Sequence, residues 1–87
     1  MKSRVTEDFL ALFAELPHEI RARARKNYRL WLQNPSHPSL QFKKVHSNEP
    51  VYSIRVGRRW RALGLLEGDT IHWFWIGSHA EYDGLLG

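Results

Sequence analysis

The apolar residues of this chain change their spacing once, at the segment NPSHPS that covers residues 34–39. Before this segment they recur at helical spacing, and after it they alternate with polar residues, as in half-buried strands. The two prolines of the segment end the helical part. Helices followed by short strands predict an α+β fold. With 87 residues there is room for one domain, which we expect to cover residues 1–87.

The first part of the chain predicts two helices. Thr6 precedes two acidic residues, as an N-cap does, and an apolar stripe follows it. A second helix is predicted from about His18 to Gln33, with its buried positions at Ile20, Ala24, Tyr28, Trp31 and Leu32. Because the connection at Pro17 is short, we expect the two helices to form an antiparallel hairpin.

The second part predicts an antiparallel β-meander of three to four strands, packed on the helical hairpin. The alternating segments are Leu40–His46, Val51–Val56, Trp60–Leu66 and Ile71–Ile76. Their connections are short, so neighbouring strands are antiparallel. Trp73 and Trp75 alternate along the last segment, which predicts that they share one face with Ile71, as core or as a partner interface rather than as a base-stacking platform. After it, Ser78-x-x-Glu81 matches a capping box and predicts a short C-terminal helix that begins at Ser78.

Basic residues are concentrated in the middle of the chain. From residue 21 to residue 61 there are eleven of them against one acidic residue, Glu49; they are Arg21, Arg23, Arg25, Lys26, Arg29, Lys43, Lys44, Arg55, Arg58, Arg59 and Arg61. Such a segment attracts a polyanion. A large acidic protein partner and an ordinary solvated helix face fit the same charge.

The composition excludes several classes of protein. The chain has no cysteine, so it forms neither disulfides nor zinc–thiolate sites, and we expect a cytoplasmic location. It has no run of about 18 apolar residues, so we expect no membrane span. No histidine pair has a helical metal-ligand spacing, and there is no phosphate-binding glycine loop or nucleophilic serine elbow. We therefore expect no metal or cofactor.

Two residues after the last strand are not explained by the capping box. His79 and Tyr82 lie three positions apart on the predicted helix and therefore share one face. Ordinary surface residues at a helix start are the alternative interpretation. Guanidinium groups beside a histidine and a tyrosine would suit RNA cleavage without a metal, in which the 2′-hydroxyl attacks the neighbouring phosphate. Arginine matches the phosphate oxygens, and histidine exchanges protons near neutral pH.

Strand register decides whether arginines reach this helix. Arg61 begins its strand beside the place where the next strand ends. A three-residue loop before the last strand pairs Arg61 with Trp75, and a two-residue loop pairs it with Ile76. In the preceding hairpin, a three-residue loop pairs Arg55 with Arg61 on one face, whereas a two-residue loop separates them.

Three segments together resemble the RelE/ParE superfamily of bacterial type II toxins, and its HigB-like branch in particular. LFAELPHEIRARARKNYRLWLQNPSHPSLQFKKV is similar to the helical hairpin and first following strand of that family. VYSIRVGRRWRALG resembles its basic hairpin, in which an arginine opens the second strand, and WIGSHAEYD resembles its ending. Relatives usually begin with a full strand, but here only Met1–Val5 precede the first helix. We therefore expect that strand to be short or absent, which would leave a sheet edge for an antitoxin or for a second copy in a homodimer.

The resemblance implies a toxin that cleaves mRNA in the ribosomal A site and is neutralised by a small antitoxin. In this sequence Arg61, helped by Arg55, would stabilise the phosphate, and His79 with Tyr82 would transfer protons or position a base. The residues implied to bind the RNA backbone are Lys43, Lys44, Arg58 and Arg59. A non-enzymatic member of the superfamily is the alternative, either a gyrase poison or an inactivated toxin that binds antitoxin or nucleic acid. A plain basic RNA-binding domain is a third possibility.

Overall fold

A computed structural model describes residues 1–86 and shows three α-helices packed on a five-stranded sheet in that part of the chain. The sheet order is β1-β5-β4-β3-β2, with β1 parallel to β5 and the other neighbours antiparallel. The predicted α+β class is confirmed, and the predicted meander forms most of a mixed sheet. The elements are β1 (Lys2–Val5), α1 (Glu7–Ala14), α2 (His18–Gln33), β2 (Lys43–Lys44), β3 (Val51–Gly57), β4 (Trp60–Glu67), β5 (Thr70–Ser78) and α3 (His79–Leu86).

Local side-chain hydrogen bonds fix the ends of the first helix. The Phe9 backbone N–H donates to Thr6 Oγ1 at 3.1 Å, so the predicted N-cap is confirmed. Beyond the C-terminal end of α1, Arg21 Nη1 donates to the Leu16 carbonyl oxygen at 2.8 Å. This bond satisfies a carbonyl that no helix bond uses. None of the helices within residues 1–86 is long and apolar enough to cross a bilayer.

The core lies between α1, α2 and one face of the sheet, which we call the covered face. Trp31 of α2 is fully buried, and its ring meets that of Trp73 edge-on at a centroid distance of 5.4 Å. Such large aromatic contacts supply much of the stability of a small domain. Tyr28 and Leu32 were predicted to be buried, but they are 38% and 49% exposed. They lie beside the buried stripe of α2, whose one fully buried residue is Trp31. The buried residues that the sheet contributes are Ile54, Val56, Ala62, Ile71, Trp73 and Ile76.

The predicted strand Leu40–His46 is largely wrong. Only Lys43–Lys44 pair with β3. Pro38–Leu40 form a 3₁₀ turn instead, and the fully buried Leu40 holds that turn against the core. Gln41 follows with a left-handed backbone (φ 46°), a conformation that interrupts a strand.

A bulge in β3 sets the register of the hairpin between β3 and β4. Arg55 lies opposite Arg61, but the next pair toward the turn is Gly57 with Trp60. Val56 therefore has no partner in β4. Asn27 of α2 compensates, because its Nδ2 donates to the carbonyl oxygens of Arg55 and Val56 at 3.2 and 2.7 Å. The pairing of Arg55 with Arg61 is confirmed, but the loop has two residues, not the three from which that pairing was expected, and the bulge restores the register.

A second bulge, at Phe74, changes the register of β5. The loop between β4 and β5 has two residues, but the ladder slips by one position farther along. Arg61 therefore lies opposite Gly77, and both predicted partners, Trp75 and Ile76, are wrong. Counting from the turn cannot detect an extra residue within a strand.

The same bulge separates two tryptophans that were predicted to share a face. Trp73 pairs with Gly64, and Trp75 pairs with Leu63, the preceding residue of β4. Adjacent residues of a strand point to opposite faces, so Trp73 and Trp75 do as well. Trp73 is buried in the core at 3% exposure, whereas Trp75 is half-buried on the other face. The prediction of a shared face is wrong.

The N-terminal strand is short but present. The Lys2 backbone N–H donates to the Asp69 carbonyl at 2.8 Å, and that of Thr6 donates to the Trp73 carbonyl at 3.0 Å. This parallel pairing covers the edge of β5. The sheet edge that was expected to lie open at this place is therefore occupied by the chain's own first residues.

Candidate active site

The candidate site lies on the second face of the sheet, which turns away from α1 and α2 and which we call the open face. Arg55 pairs with Arg61, and Arg61 pairs with Gly77, so these three residues form one row across β3, β4 and β5 on that face. Helix α3 begins directly after this row. The His79 backbone N–H donates to the Arg59 carbonyl oxygen at 2.6 Å, which fixes the start of α3 beside the hairpin of β3 and β4.

Arg61 is held by three neighbours. Its Nη2 donates to Gln41 Oε1 at 2.7 Å, its Nη1 lies 3.4 Å from Ser53 Oγ, and its Cζ lies 5.7 Å from the centre of the Tyr82 ring. A planar guanidinium that is fixed in this way presents its remaining N–H groups in a set direction.

The two arginines of the row have no acidic partner in the described part of the chain. The ion pairs found within residues 1–86 are Lys2–Asp69 and His79–Asp83, and neither involves Arg55 or Arg61. Like charges directly opposite each other on a sheet are destabilising. A bound anion would remove this repulsion, and the oxygens of a phosphate or a carboxylate match guanidinium forks.

His79 is oriented by the next turn of its own helix. Its Nδ1 lies 3.1 Å from Asp83 Oδ2. A neutral ring that donates to Asp83 through Nδ1 leaves Nε2 free to exchange a proton with a ligand. The His79 and Tyr82 rings lie 5.6 Å apart, so the predicted shared face is found.

Glu81 belongs to the helix start, and its Oε1 lies beside Gly77, 3.3 Å from where a Cβ atom at that position would be. The Ser78 backbone N–H donates to Glu81 Oε1 at 3.1 Å, and the Glu81 N–H donates to Ser78 Oγ at 3.2 Å, so the predicted capping box is confirmed. The bond from the Ser78 backbone, and after it the bond from the Ser78 hydroxyl, lower the pKa of the Glu81 carboxyl below its ordinary 4.5.

The predicted RNA-binding residues are divided among three places. Lys43 pairs with Ser53 and therefore lies on the open face beside Arg61. Lys44 pairs with Tyr52 and lies on the opposite face of β2. The turn between β3 and β4 carries the remaining two, Arg58 and Arg59, and exposes both.

Three contact residues were not predicted. Asp83 had a signal, because it stands four positions after His79 and therefore one helical turn away. Ser53 follows from the strand register once that register is known. Gln41 had no signal, since a left-handed residue after a 3₁₀ turn brings it to Arg61 across twenty positions of sequence. Residues 1–86 contain no group of three His, Cys, Asp or Glu side chains that would hold a metal ion.

Comparison with known proteins identifies the kind of fold that carries this cluster. A family model described as "ParE-like toxin domain" matches residues 18–84. A search of curated protein sequences finds no significant match.

Several solved structures are similar over nearly the whole chain. The RelB–RelE antitoxin–toxin complex from Methanococcus jannaschii has 19% identity and a TM-score of 0.77 over 97% of this chain and 99% of that one. YafQ from Escherichia coli has 13% identity and a TM-score of 0.74 over 99% and 98%. The RelBE2 toxin–antitoxin complex from Mycobacterium tuberculosis has 17% identity and a TM-score of 0.70 over 88% and 95%. These likenesses establish a shared fold.

Proposed function

The chain belongs to the ParE-like toxin domain family, and from that premise we propose that it is the toxin of a type II toxin–antitoxin system that cleaves mRNA in the ribosomal A site. Within the superfamily we place it in the HigB-like branch, on the strength of its ending WIGSHAEYD. The observation that carries the proposal is the meeting of Arg55, Arg61, His79 and Tyr82 on the open face.

The reaction is an attack of the RNA 2′-hydroxyl oxygen on the adjacent phosphorus. A P–O2′ bond forms and the P–O5′ bond breaks, which leaves a 2′,3′-cyclic phosphate and a 5′-hydroxyl. Arg61 and Arg55 stabilise the additional negative charge on the phosphate oxygens. Because no redox step or hydrolytic water takes part, positioning and charge stabilisation are the main tasks of the protein.

Two protons move in this reaction: one leaves the 2′-hydroxyl and one reaches the departing 5′ oxygen. His79 exchanges a proton through Nε2, while the bond from Nδ1 to Asp83 holds the ring in that tautomer. Tyr82 lies between His79 and Arg61 and either donates the second proton or positions a base.

The partners follow from charge. Lys43, Arg58 and Arg59 surround the cluster and bind the RNA and ribosomal backbone, with Lys44 at the margin. Affinity therefore falls steeply as the salt concentration rises. The RelB–RelE and RelBE2 structures are complexes with antitoxins. We propose that a cognate antitoxin likewise neutralises this chain, and that it acts in the cytoplasm, where the ribosomes are.

Primer extension on mRNA bound to programmed ribosomes tests the proposal. Purified wild-type protein is expected to give discrete cuts within the A-site codon, and the His79→Ala variant is expected to lose them. Intact mRNA with folded wild-type protein would contradict nuclease activity and favour a non-enzymatic binder. DNA damage markers upon expression would then point to gyrase.

A further inference from the structure

The bulge at Phe74 places one large aromatic side chain on the open face beside the arginines. Trp75 pairs with Leu63, and the next row on the same face is Arg61 opposite Gly77. We propose that Trp75 is the surface on which a base of the mRNA stacks when its phosphate is bound by Arg61. This inference rests on the proposed function and names the part of the substrate that this face recognises.

Gly77 makes room for the indole. A Cβ atom at Gly77 would lie 2.6 Å from Trp75 Cζ2 and 3.0 Å from its Cη2. The edge of the ring therefore occupies the space that a side chain at position 77 would fill, directly across from Arg61. The indole thus reaches toward the arginine row.

Trp75 differs from the other tryptophans in lying on the open face and outside the core. Trp31 and Trp73 are buried in the core, and Trp60 packs against it. Trp75 is half-buried outside that core, and no other aromatic ring of residues 1–86 pairs with it. The bulge places this ring on the open face, where Trp75 pairs with the buried Leu63, and the exposed part of the ring is available to a ligand.

The indole lies close to the arginine row. Trp75 precedes Gly77 by two residues of β5, which corresponds to roughly 7 Å along the strand, and its ring leans over Gly77 and shortens that separation. A base can therefore contact the ring while its own or the adjacent phosphate is bound at Arg61. Aromatic side chains commonly stack on unpaired RNA bases in this way.

Charge fixes the direction of the RNA on this face. The arginine row lies at one end. At the other end a shallow depression is lined by Glu49 and Glu67 with His72 and Phe74. Carboxylates also lie near the arginine end, at Glu81 and Asp83, so it is the guanidinium groups of that end that favour the phosphate there. The base then extends over Trp75 toward the depression.

The test measures the energetic coupling between the indole and a base. Ribosomes are programmed with mRNA whose A-site codon carries 2′-O-methyl groups, so that it cannot be cut, and each of the three codon bases is removed in turn. Binding of wild-type protein, Trp75→Leu and Trp75→Phe to each ribosome is then measured. Loss of one stacked base costs about 1–3 kcal/mol, so removal of one particular base is expected to weaken wild-type binding roughly 5- to 150-fold.

In Trp75→Leu the intact codon is expected to bind more weakly by a similar factor, and removal of the same base is expected to have no further effect. Trp75→Phe keeps a ring and should restore most of the affinity and of the base dependence. Equal base dependence in wild-type and Trp75→Leu protein would overturn the inference while leaving the nuclease intact. Failure of wild-type protein to bind any programmed ribosome would overturn the proposed function as well. Circular dichroism and urea unfolding confirm that the variants are folded.

Discussion

The two faces of the central sheet differ in the side chains they carry and in how those side chains affect stability. On the covered face apolar side chains meet α1 and α2, and Trp31 and Trp73 are excluded from water. On the open face Arg55 and Arg61 stand directly opposite each other without a carboxylate partner in residues 1–86. The apolar contacts of the covered face stabilise the fold. The paired arginines of the open face destabilise it, and they provide a place where an anion can bind.

Trp73 and Trp75 are the sharpest comparison between the two faces, because they have the same side chain on one strand. Trp73→Ala is expected to lower the free energy of unfolding by about 3–5 kcal/mol, since it opens a cavity in the core. Trp75→Ala is expected to cost less than Trp73→Ala, about 2 kcal/mol, since the indole is only partly buried and lies outside the core. Urea unfolding of both variants measures the difference. Equal losses would show that the bulge does not separate the two faces.

Gly77→Ala tests whether the indole must occupy its observed place. The new methyl group would lie 2.6 Å from the Trp75 ring, so we expect the ring to move and the stability to fall by about 1–3 kcal/mol. Binding to programmed ribosomes should weaken as it does in Trp75→Leu. Gly84→Ala is the matched control, because nothing lies within 4 Å of that position and alanine favours the helix. Gly77→Ala with unchanged stability and affinity would contradict the packing described here.

Removal of one arginine from the cross-strand pair should stabilise the free protein. Arg55→Gln relieves a like-charge contact and is expected to raise the free energy of unfolding by about 0.2–1 kcal/mol. The gain should shrink at high salt because the repulsion is screened. Arg29→Gln, which removes the same charge from the exposed side of α2, should leave the stability nearly unchanged. A loss of stability in Arg55→Gln would mean that the pair is compensated in solution.

The smallest expected effect concerns the start of α3. The lowered pKa of Glu81 means that its ionised form favours the folded state. That contribution is complete above the ordinary value of 4.5 and is lost as the pH falls through the lower folded-state value. The stability difference between wild type and Glu81→Gln should therefore be constant near neutral pH and shrink below pH 4.5. Thermal unfolding from pH 7 to pH 3 measures it, and a difference that grows on acidification would contradict the capping-box account.

The sequence predicted the fold better than it predicted the register. Capping at Thr6 and Ser78, the bounds of α2 and the succession of strands all depend on local chemistry that the residues display. The bulges at Val56 and Phe74 depend on tertiary packing, which for Val56 includes the hydrogen bonds from Asn27. No local sequence pattern predicts them.

The candidate site shows the same division. Helical spacing predicted that His79 and Tyr82 share a face. The contact between His79 and Asp83 could have been predicted from the same spacing. The convergence of Arg61 with α3 was predicted, but its pairing with Gly77 and its bond to Gln41 required the structure. For Trp75 the sequence favoured the core or a partner interface over base stacking, because alternation along β5 assigned it to the same face as Trp73.

The central claim is that the open face performs the chemistry while basic residues elsewhere on the surface do not. Single-turnover cleavage of mRNA on programmed ribosomes, compared between Arg61→Gln and Arg29→Gln, tests it most directly, because both variants lose one positive charge. Arg61→Gln is expected to reduce the cleavage rate by about 10²–10³-fold, as loss of one charge-stabilising donor does. Arg29→Gln should remain within about threefold of wild type. Similar rates for the two variants would contradict the assignment of the open face as the active site.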